Sequence, residues 1–367
     1  MDKSFFQDTP YLCLEYLENL KRNTNFSYQP SLRDTTIYGD RLTLGFSCFA
    51  LKIYYMTSEW ENLSKDNKLL WGDFINSFQI EKSDYPPNSY IDKFLLEGLK
   101  DQSQLQKIKN IIKYVTNVIP GNNFDTLSTQ INKAINAETK QSIATLNQVG
   151  FKNRYQFYDV FTQGKNINHY LDSLDWSKPW ASGAQYSSLC VYSTTQNLGI
   201  ENELTDFVNS IVDKETGSYF KRKPNSSREV INGAMKILTG LDWLDQQIHY
   251  PEQLIDYCLN NKPVNEGCDF VDYVFVLYKC SKQVTYKRKE VQELLKNILL
   301  DIEKLFVKND KGFSYFLKKS QTHYYGVQIT NGSGGADIHG TTLCLWAIIM
   351  ILDILDLSTP VMKIIKP

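Results

Sequence analysis

Two short stretches of this 367-residue chain combine residue types that do acid–base or metal chemistry. The first is Asp337-Ile-His339-Gly-Thr-Thr342, reached through the glycine-rich Gly332-Ser-Gly-Gly-Ala336. It opens a run, Thr341 to Leu355, that is apolar on nearly every side, the pattern of a buried helix. A carboxylate and an imidazole at the mouth of such a helix make Asp337 and His339 candidate catalytic groups. The second stretch is Glu266-Gly-Cys268-Asp269-Phe-Val-Asp272, also at the start of an apolar segment. Asp269 and Asp272 are its candidate acid–base residues. Glu266 and Cys268 flank a glycine and can share one rim. With His339 from another helix they would give three ligands and an open fourth position, the arrangement of a catalytic zinc. Such an ion would hold the thiol as thiolate or acidify a bound water. The plainer alternatives are a small buried cysteine and a helix-start histidine bonded to a neighbour.

A third group is polar and aromatic: Asp172-Ser-Leu-Asp175-Trp176-Ser-Lys-Pro-Trp180, followed by Gln185. Trp176, Trp180 and Gln185 are candidate substrate-binding residues, since indole faces stack on sugar rings. A glycosidase would need two carboxylates at a set separation. A polysaccharide lyase would use a tyrosine or histidine base, types that Asn168-His169-Tyr170 and His323-Tyr324-Tyr325 supply. The alternative is a structural loop whose tryptophans plug a rim. Arg228, Asn232 and Lys236 follow one another by single helical turns, so one face could hold a diphosphate or a carboxylate.

These residues have to be positioned by helices. Apolar spacing predicts amphipathic helices over residues 11 to 21, Leu69 to Phe78, Ile91 to Leu99, Leu105 to Val118, Thr126 to Asn136, Ile200 to Val212, Glu252 to Asn260 and Lys287 to Phe306. It predicts more fully apolar helices over Leu42 to Met56, Arg228 to Asp245, Asp269 to Cys280 and Thr341 to Leu355. A further helix is expected from about Gln185 to Thr195, and a short one over Tyr155 to Phe161. Ala137 to Phe151 reads as a helix or a connector. Strand and hairpin signals are few.

Three turns look alike: Asn25-Phe-Ser-Tyr28, Gly217-Ser-Tyr219-Phe220 and Gly312-Phe-Ser-Tyr315. Each follows an amphipathic helix and precedes a more apolar one. An outer helix, a turn and an inner helix form the unit of an α/α toroid, and such repetition marks stacked helical units. The expected fold is therefore all-α, a single α/α toroid over residues 1–367.

The net charge of -1 supplies no basic field for a nucleic acid. Seven cysteines, an odd number without a CxxC pair, point to reduced thiols and a cytoplasmic setting. The N-terminus has no apolar signal segment, and the longest apolar run, Leu343 to Leu352, is about half of what a bilayer span requires.

Two of these motifs resemble those of the protein prenyltransferase β-subunits, relatives of the squalene and terpenoid cyclases. Glu266-Gly267-Cys268 is similar to their Asp-Gly-Cys. Gly334-Gly335 followed by His339-Gly-Thr-Thr-Leu is similar to their later histidine element. The chain has Glu in place of Asp, and it lacks both the Asp-x-Asp-Asp motif and the Gln-x-x-Asp-Gly-x-Trp repeat of the cyclases. The resemblance implies a toroid whose cavity acts on a small molecule, with zinc on Glu266, Cys268 and His339. A carbohydrate-active toroid, lyase or hydrolase, and a non-catalytic toroid binding a partner or glycan are the other expectations.

Overall fold

The computed structural model describes residues 3–81, 85–101, 126–157, 167–262 and 267–367. The helix expected over Leu105 to Val118, most of the one over Tyr155 to Phe161, and Glu266 lie outside these residues. In order, the described elements are α1 (Lys3–Leu20), α2 (Ile37–Arg41), α3 (Leu44–Met56), α4 (Glu59–Asn62), α5 (Lys65–Asn76), β1 (Gln79–Ile80), β2 (Ser89–Tyr90), α6 (Lys93–Lys100) and α7 (Leu127–Gln148). Then come α8 (Ile167–Ser173), α9 (Pro179–Gln196), α10 (Glu201–Ile211), α11 (Ser227–Trp243), α12 (Pro251–Asn260), α13 (Gly267–Gln283) and α14 (Arg288–Glu303). The last elements are β3 (Phe306–Val307), β4 (Gly312–Phe313), β5 (His323–Tyr324), β6 (Val327–Gln328) and α15 (Ile338–Ile354). The protein is mostly helical, and its strands form three short antiparallel pairs, β1–β2, β3–β4 and β5–β6.

Six of the helices touch in cyclic order. α3 packs on α7, α7 on α9, α9 on α11, α11 on α13, α13 on α15, and α15 returns to α3. The sequence explains why these helices take such positions. Fourteen of the 17 residues of α15 and eleven of the 13 of α3 are buried. A helix apolar all round needs neighbours on every side. The cycle supplies two of them, and amphipathic helices supply the rest. α1 lies against α3 and α15, α5 against α3 and α7, α10 against α9, and α12 and α14 against α13. α14 buries one stripe, Val291, Leu295, Ile298, Leu299 and Ile302, and leaves its charged face outside. Each such side chain contributes roughly 1.5–3 kcal/mol of hydrophobic stabilisation.

The three similar turns share one backbone pattern. Tyr28 bridges Lys21, Tyr219 bridges Val212, and Phe313 pairs with Phe306. In each turn the next residue donates its N–H to a carbonyl at the end of the preceding helix: Gln29 to Leu20, Phe220 to Ile211, and Ser314 to Leu305. Two residues before the bridging aromatic, Phe26, Gly217 and Lys311 all adopt positive φ, at 60°, 72° and 63°. The structural register therefore aligns Tyr219 with Phe313, not with Tyr315 as the sequence motif suggested. The left-handed corner, which favours glycine, falls on Lys311 in the third copy.

Several boundaries differ from the sequence expectation. α1 begins at Lys3 rather than at residue 11. α7 runs unbroken through the polar stretch after Asn136. Its buried polar residues have work to do there: the Thr139 hydroxyl accepts from the Tyr90 N–H at 3.1 Å, and Ser142 lies 3.9 Å from the Cys48 sulfur. α9 begins at Pro179, a residue pre-shaped for the first helical turn, so Trp180 is helical.

Candidate functional site

The starts of α13 and α15 are clamped together by the segment that follows β4. Gly267 has φ 64° and donates its N–H to the Tyr315 carbonyl at 2.9 Å. A Cβ there would sit 2.9 Å from the Tyr315 ring. The next residue, Cys268, places its sulfur 2.9 Å from the Tyr315 hydroxyl. On the other side Gly340 lets α15 press on the backbone of Ser314 and Tyr315, where a Cβ would meet the Tyr315 nitrogen at 2.5 Å. Gly267 and Cys268 of the first motif and Gly340 of the second are thus brought to the same tyrosine.

Asp337 is the N-cap of α15. One oxygen accepts the Gly340 N–H at 2.7 Å, and the other accepts those of Tyr315 at 2.7 Å and Gln321 at 3.1 Å. Burial pushes its pKa up to about 6 against the pull of these N–H groups. Both oxygens are occupied and the residue is 1% exposed. The catalytic role expected for Asp337 is accordingly corrected to a structural one: it ties the helix to the preceding loop.

His339 lies two residues further on, stacked against Phe49 with ring centroids 4.5 Å apart and in tilted contact with the Tyr315 ring at 5.1 Å. Its Nδ1 is 3.1 Å from Gln321 Oε1. A carbonyl oxygen can only accept, so Nδ1 carries the proton and Nε2 keeps a lone pair. Burial, then the charges of Lys52 and Lys236, lower its pKa to about 3. The imidazole is neutral at physiological pH.

Asp269 and Asp272 differ in environment. Asp269 accepts from Arg228 Nε at 2.9 Å and from Asn232 Nδ2 at 2.7 Å, tying α11 to α13. The Arg228 guanidinium also lies over the Trp180 ring, 5.1 Å from its centroid. Arg228, Asn232 and Asp269 line a small recess of about 90 Å³. Asp272, one turn on, is 3% exposed, and its Oδ2 has no hydrogen-bond partner. Burial raises its pKa to about 6; the charge of Lys236 works the other way. A buried carboxylate oxygen without a donor is rare and calls for a reason.

Lys236, one turn beyond Asn232 on α11, is the electrostatic hub. Its charge acts on Lys52 of α3, Lys140 of α7, Cys268 and Asp272 of α13, and His339 of α15. Sequence reading overlooked Lys52, Lys140 and Glu138. The signal was present: Lys52 is the sole charged residue of the apolar run Leu44 to Met56. Glu138 is 1% exposed, accepts from the Tyr324 hydroxyl at 3.0 Å, and leaves Oε2 without a partner. Burial pushes its pKa to about 8, so it is protonated at neutral pH.

Of the expected zinc ligands, Cys268 and His339 lie among the described residues and Glu266 outside them. Cys268 is engaged by Tyr315, and burial raises its thiol to about 11. No group of three His, Cys, Asp or Glu side chains among the described residues is arranged to hold a metal.

The aromatic group divides. Trp176, expected to bind substrate, is 2% exposed, packs on Phe207 and donates its indole N–H to the Leu171 carbonyl at 2.7 Å. Its ring has no open face, and the expectation is corrected: it anchors the turn between α8 and α9. Asp172 pairs with Lys221 and Asp175 holds Ser177. Gln185 accepts from Asn136 Nδ2 at 2.8 Å and from the Tyr170 hydroxyl at 3.5 Å. It lines an aromatic groove of about 700 Å³ with Tyr85, Pro86, Phe157 and Tyr170.

Among the described residues no helix is long and apolar enough to cross a membrane. Comparison with protein-family models, curated proteins and solved structures finds no match to this chain.

Proposed function

We propose that this chain is a single α/α toroid of the terpenoid cyclase and prenyltransferase type, and an enzyme that acts on a small molecule inside the ring. The cyclic order of helix contacts and the thrice-repeated turn support the toroid. The observation that carries the enzyme reading is the unpartnered oxygen of Asp272, buried beside the charge of Lys236. A carboxylate with a pKa near neutrality and a vacant lone pair is suited to take a proton from a bound substrate. Neutral His339, with Nε2 as acceptor, can take a hydrogen bond from a bound substrate. Tyr315 and Cys268 brace these groups. The seven free thiols, six of them buried, suit a reducing compartment such as the cytoplasm.

A carbohydrate-active toroid is the second reading, favoured by the aromatic groove at Tyr170 and Gln185. That groove has faces for stacking, and no carboxylate stands among the described residues of its lining, so these residues suit glycan binding better than glycoside hydrolysis.

Incubating the full chain with allylic diphosphates and with acidic oligosaccharides, followed by product mass spectrometry, tests both. Turnover of a small anionic substrate that falls at least a hundredfold in Asp272→Asn is the expected result. Turnover unaffected by that change removes the acid–base role. Formation of unsaturated sugar ends supports the second reading.

A further inference from the structure

We infer that the groove lined by α7, α8, α9 and the turn that starts at Tyr85 is a binding site for an uncharged oligosaccharide. It encloses about 700 Å³, a size typical of small-ligand sites, which span about 300–1,000 Å³. Its polar lining includes three amides: Asn132 and Asn136, one turn apart on α7, and Gln185 of α9. No carboxylate stands among the described lining residues, and their one cation, Lys133, already has a partner. A charged ligand would therefore enter a groove without a spare counter-charge, which is costly.

The amides are joined in a relay. The Tyr192 hydroxyl donates to Asn136 Oδ1 at 2.8 Å, and Asn136 Nδ2 donates to Gln185 Oε1 at 2.8 Å. The Tyr170 hydroxyl reaches the same oxygen at 3.5 Å. With its carbonyl end so occupied, Gln185 keeps Nε2 without an acceptor among the described residues, and the Asn132 amide has no partner among them. Hydrogen bonds in a chain polarise one another, which strengthens Gln185 as a donor. An amide offers a donor and an acceptor side by side, the pair that two neighbouring sugar hydroxyls complement. Tyr85, Phe157 and Tyr170 add aromatic surface. A tyrosine, with an apolar body and a polar tip, suits a pyranose, which has apolar C–H faces and a polar rim.

The surrounding contacts hold these surfaces in place. Phe157 packs on Tyr192 with ring centroids 4.8 Å apart. The Pro86-Pro87 turn is closed by the Ser89 N–H on the Pro86 carbonyl at 3.2 Å, and Asn88 Nδ2 ties it to the Gln156 carbonyl at 2.7 Å. The Tyr90 N–H, bonded to Thr139 at 3.1 Å, fastens the turn to α7. A site fixed in this way loses little ordering entropy on binding. The inference rests on the second reading above, that the ligand is a sugar, and needs neither the toroid nor the acid–base role of Asp272.

It is tested on the full chain by calorimetric titration with maltotriose, cellotriose and chitotriose, with trigalacturonate as the acidic control. The expected result is saturable binding of at least one neutral trisaccharide, about tenfold or more tighter than trigalacturonate. Gln185→Glu keeps the shape of the side chain but removes the donor, and Tyr170→Ala removes a ring; each should weaken binding by about tenfold. Asn132 is exposed and without a partner, so Asn132→Ala leaves the fold intact and should weaken binding severalfold. On the unaltered chain, saturation-transfer NMR should show the strongest transfer to protons on one face of a sugar ring. Neutral binding without cleavage removes the carbohydrate-active enzyme and leaves this inference standing. Trigalacturonate bound as tightly as the neutral sugars, and weakened by the same changes, keeps the carbohydrate reading and overturns the uncharged class. Equal affinity in wild type and all three variants overturns the site. No saturable binding of any sugar overturns both, and a proline-rich peptide bound in their place assigns the groove to a peptide instead.

Discussion

The Cys268 sulfur lies 2.9 Å from the Tyr315 hydroxyl, and the same tyrosine ring packs against His339. One side chain thereby links the starts of two helices whose motifs are separated by about seventy residues in the chain. The contact sets the chemistry of the thiol. Burial raises the Cys268 pKa to about 11, the charge of Asp272 adds to the rise, and the hydroxyl of Tyr315 moderates it. Alkylation by iodoacetamide at pH 8 should therefore run roughly a hundredfold slower than for an ordinary free thiol, because only the thiolate reacts. Tyr315→Phe removes the hydroxyl that moderates the pKa, so reaction should slow further, with about 1 kcal/mol lost in stability. Peptide mass spectrometry of a time course reads both; rapid labelling at neutral pH would show instead that a cation holds the thiolate.

Asp337 closes the loop onto α15 through both oxygens. Replacing it by Ala leaves the N–H groups of Gly340, Tyr315 and Gln321 without their acceptor in a buried place. Loss of the cap costs about 1 kcal/mol and each unsatisfied buried donor adds to it, for a total of roughly 2–4 kcal/mol. Asp337→Asn keeps one good acceptor and should lose about half as much. Thermal unfolding of the two variants checks the order. An Asp337→Ala protein as stable as wild type would refute the structural role.

What could be read from the sequence followed physical periodicity. The helices α3, α11, α13 and α15 announced themselves by apolar residues on all sides, and α14 by its single stripe. The turn motif showed through because its aromatic residue must be buried and its corner needs positive φ. Lys311 in that corner disguised the third copy, which is why the motif seemed to begin at Gly312. Motif types at helix starts singled out the starts of α13 and α15, which the structure brings to one tyrosine, but could not tell a capping carboxylate from an unpartnered one. Asp337 and Asp272 are the same residue type at similar positions; only the count of donors around each separates them. Trp176 failed for a related reason, since an indole that plugs a corner and one that stacks on a sugar have the same sequence appearance. Lys52 was missed because periodicity treats one charge in an apolar run as noise, and Glu138 and Lys140 because they sit in a polar stretch that reads as solvent-facing.

His339 should be silent to pH across the physiological range. Burial first, and the positive neighbours Lys52 and Lys236 second, take its pKa down to about 3. In heteronuclear NMR of the imidazoles, one histidine of the four should show no titration between pH 4.5 and pH 8, and its signal should vanish in His339→Gln. Lys236→Gln removes one positive neighbour and so should raise the His339 pKa. A midpoint near 6.5 in the wild type would mean that the ring is solvated and the positive field absent.

Asp272 makes the stability of the protein depend on pH in a direction opposite to that of a salt-bridged aspartate. Its folded pKa, about 6, stands above the ordinary value of 3.8, chiefly through burial. The folded state therefore binds the proton more tightly than the unfolded chain does. The associated stability is fully present below about pH 4 and is lost as pH rises through about 6. At about 1.4 kcal/mol per pH unit, the loss amounts to roughly 3 kcal/mol as an upper figure. Asp272→Asn carries no such penalty. Its stability should match that of wild type near pH 4 and exceed it increasingly up to about pH 7, after which the gap is constant. Denaturant unfolding of both proteins at several pH values measures the gap directly. A variant less stable than wild type at pH 7 would mean that the carboxylate is held by favourable partners, and its unpartnered oxygen would then lose its claim to be a reactive group kept at the expense of stability.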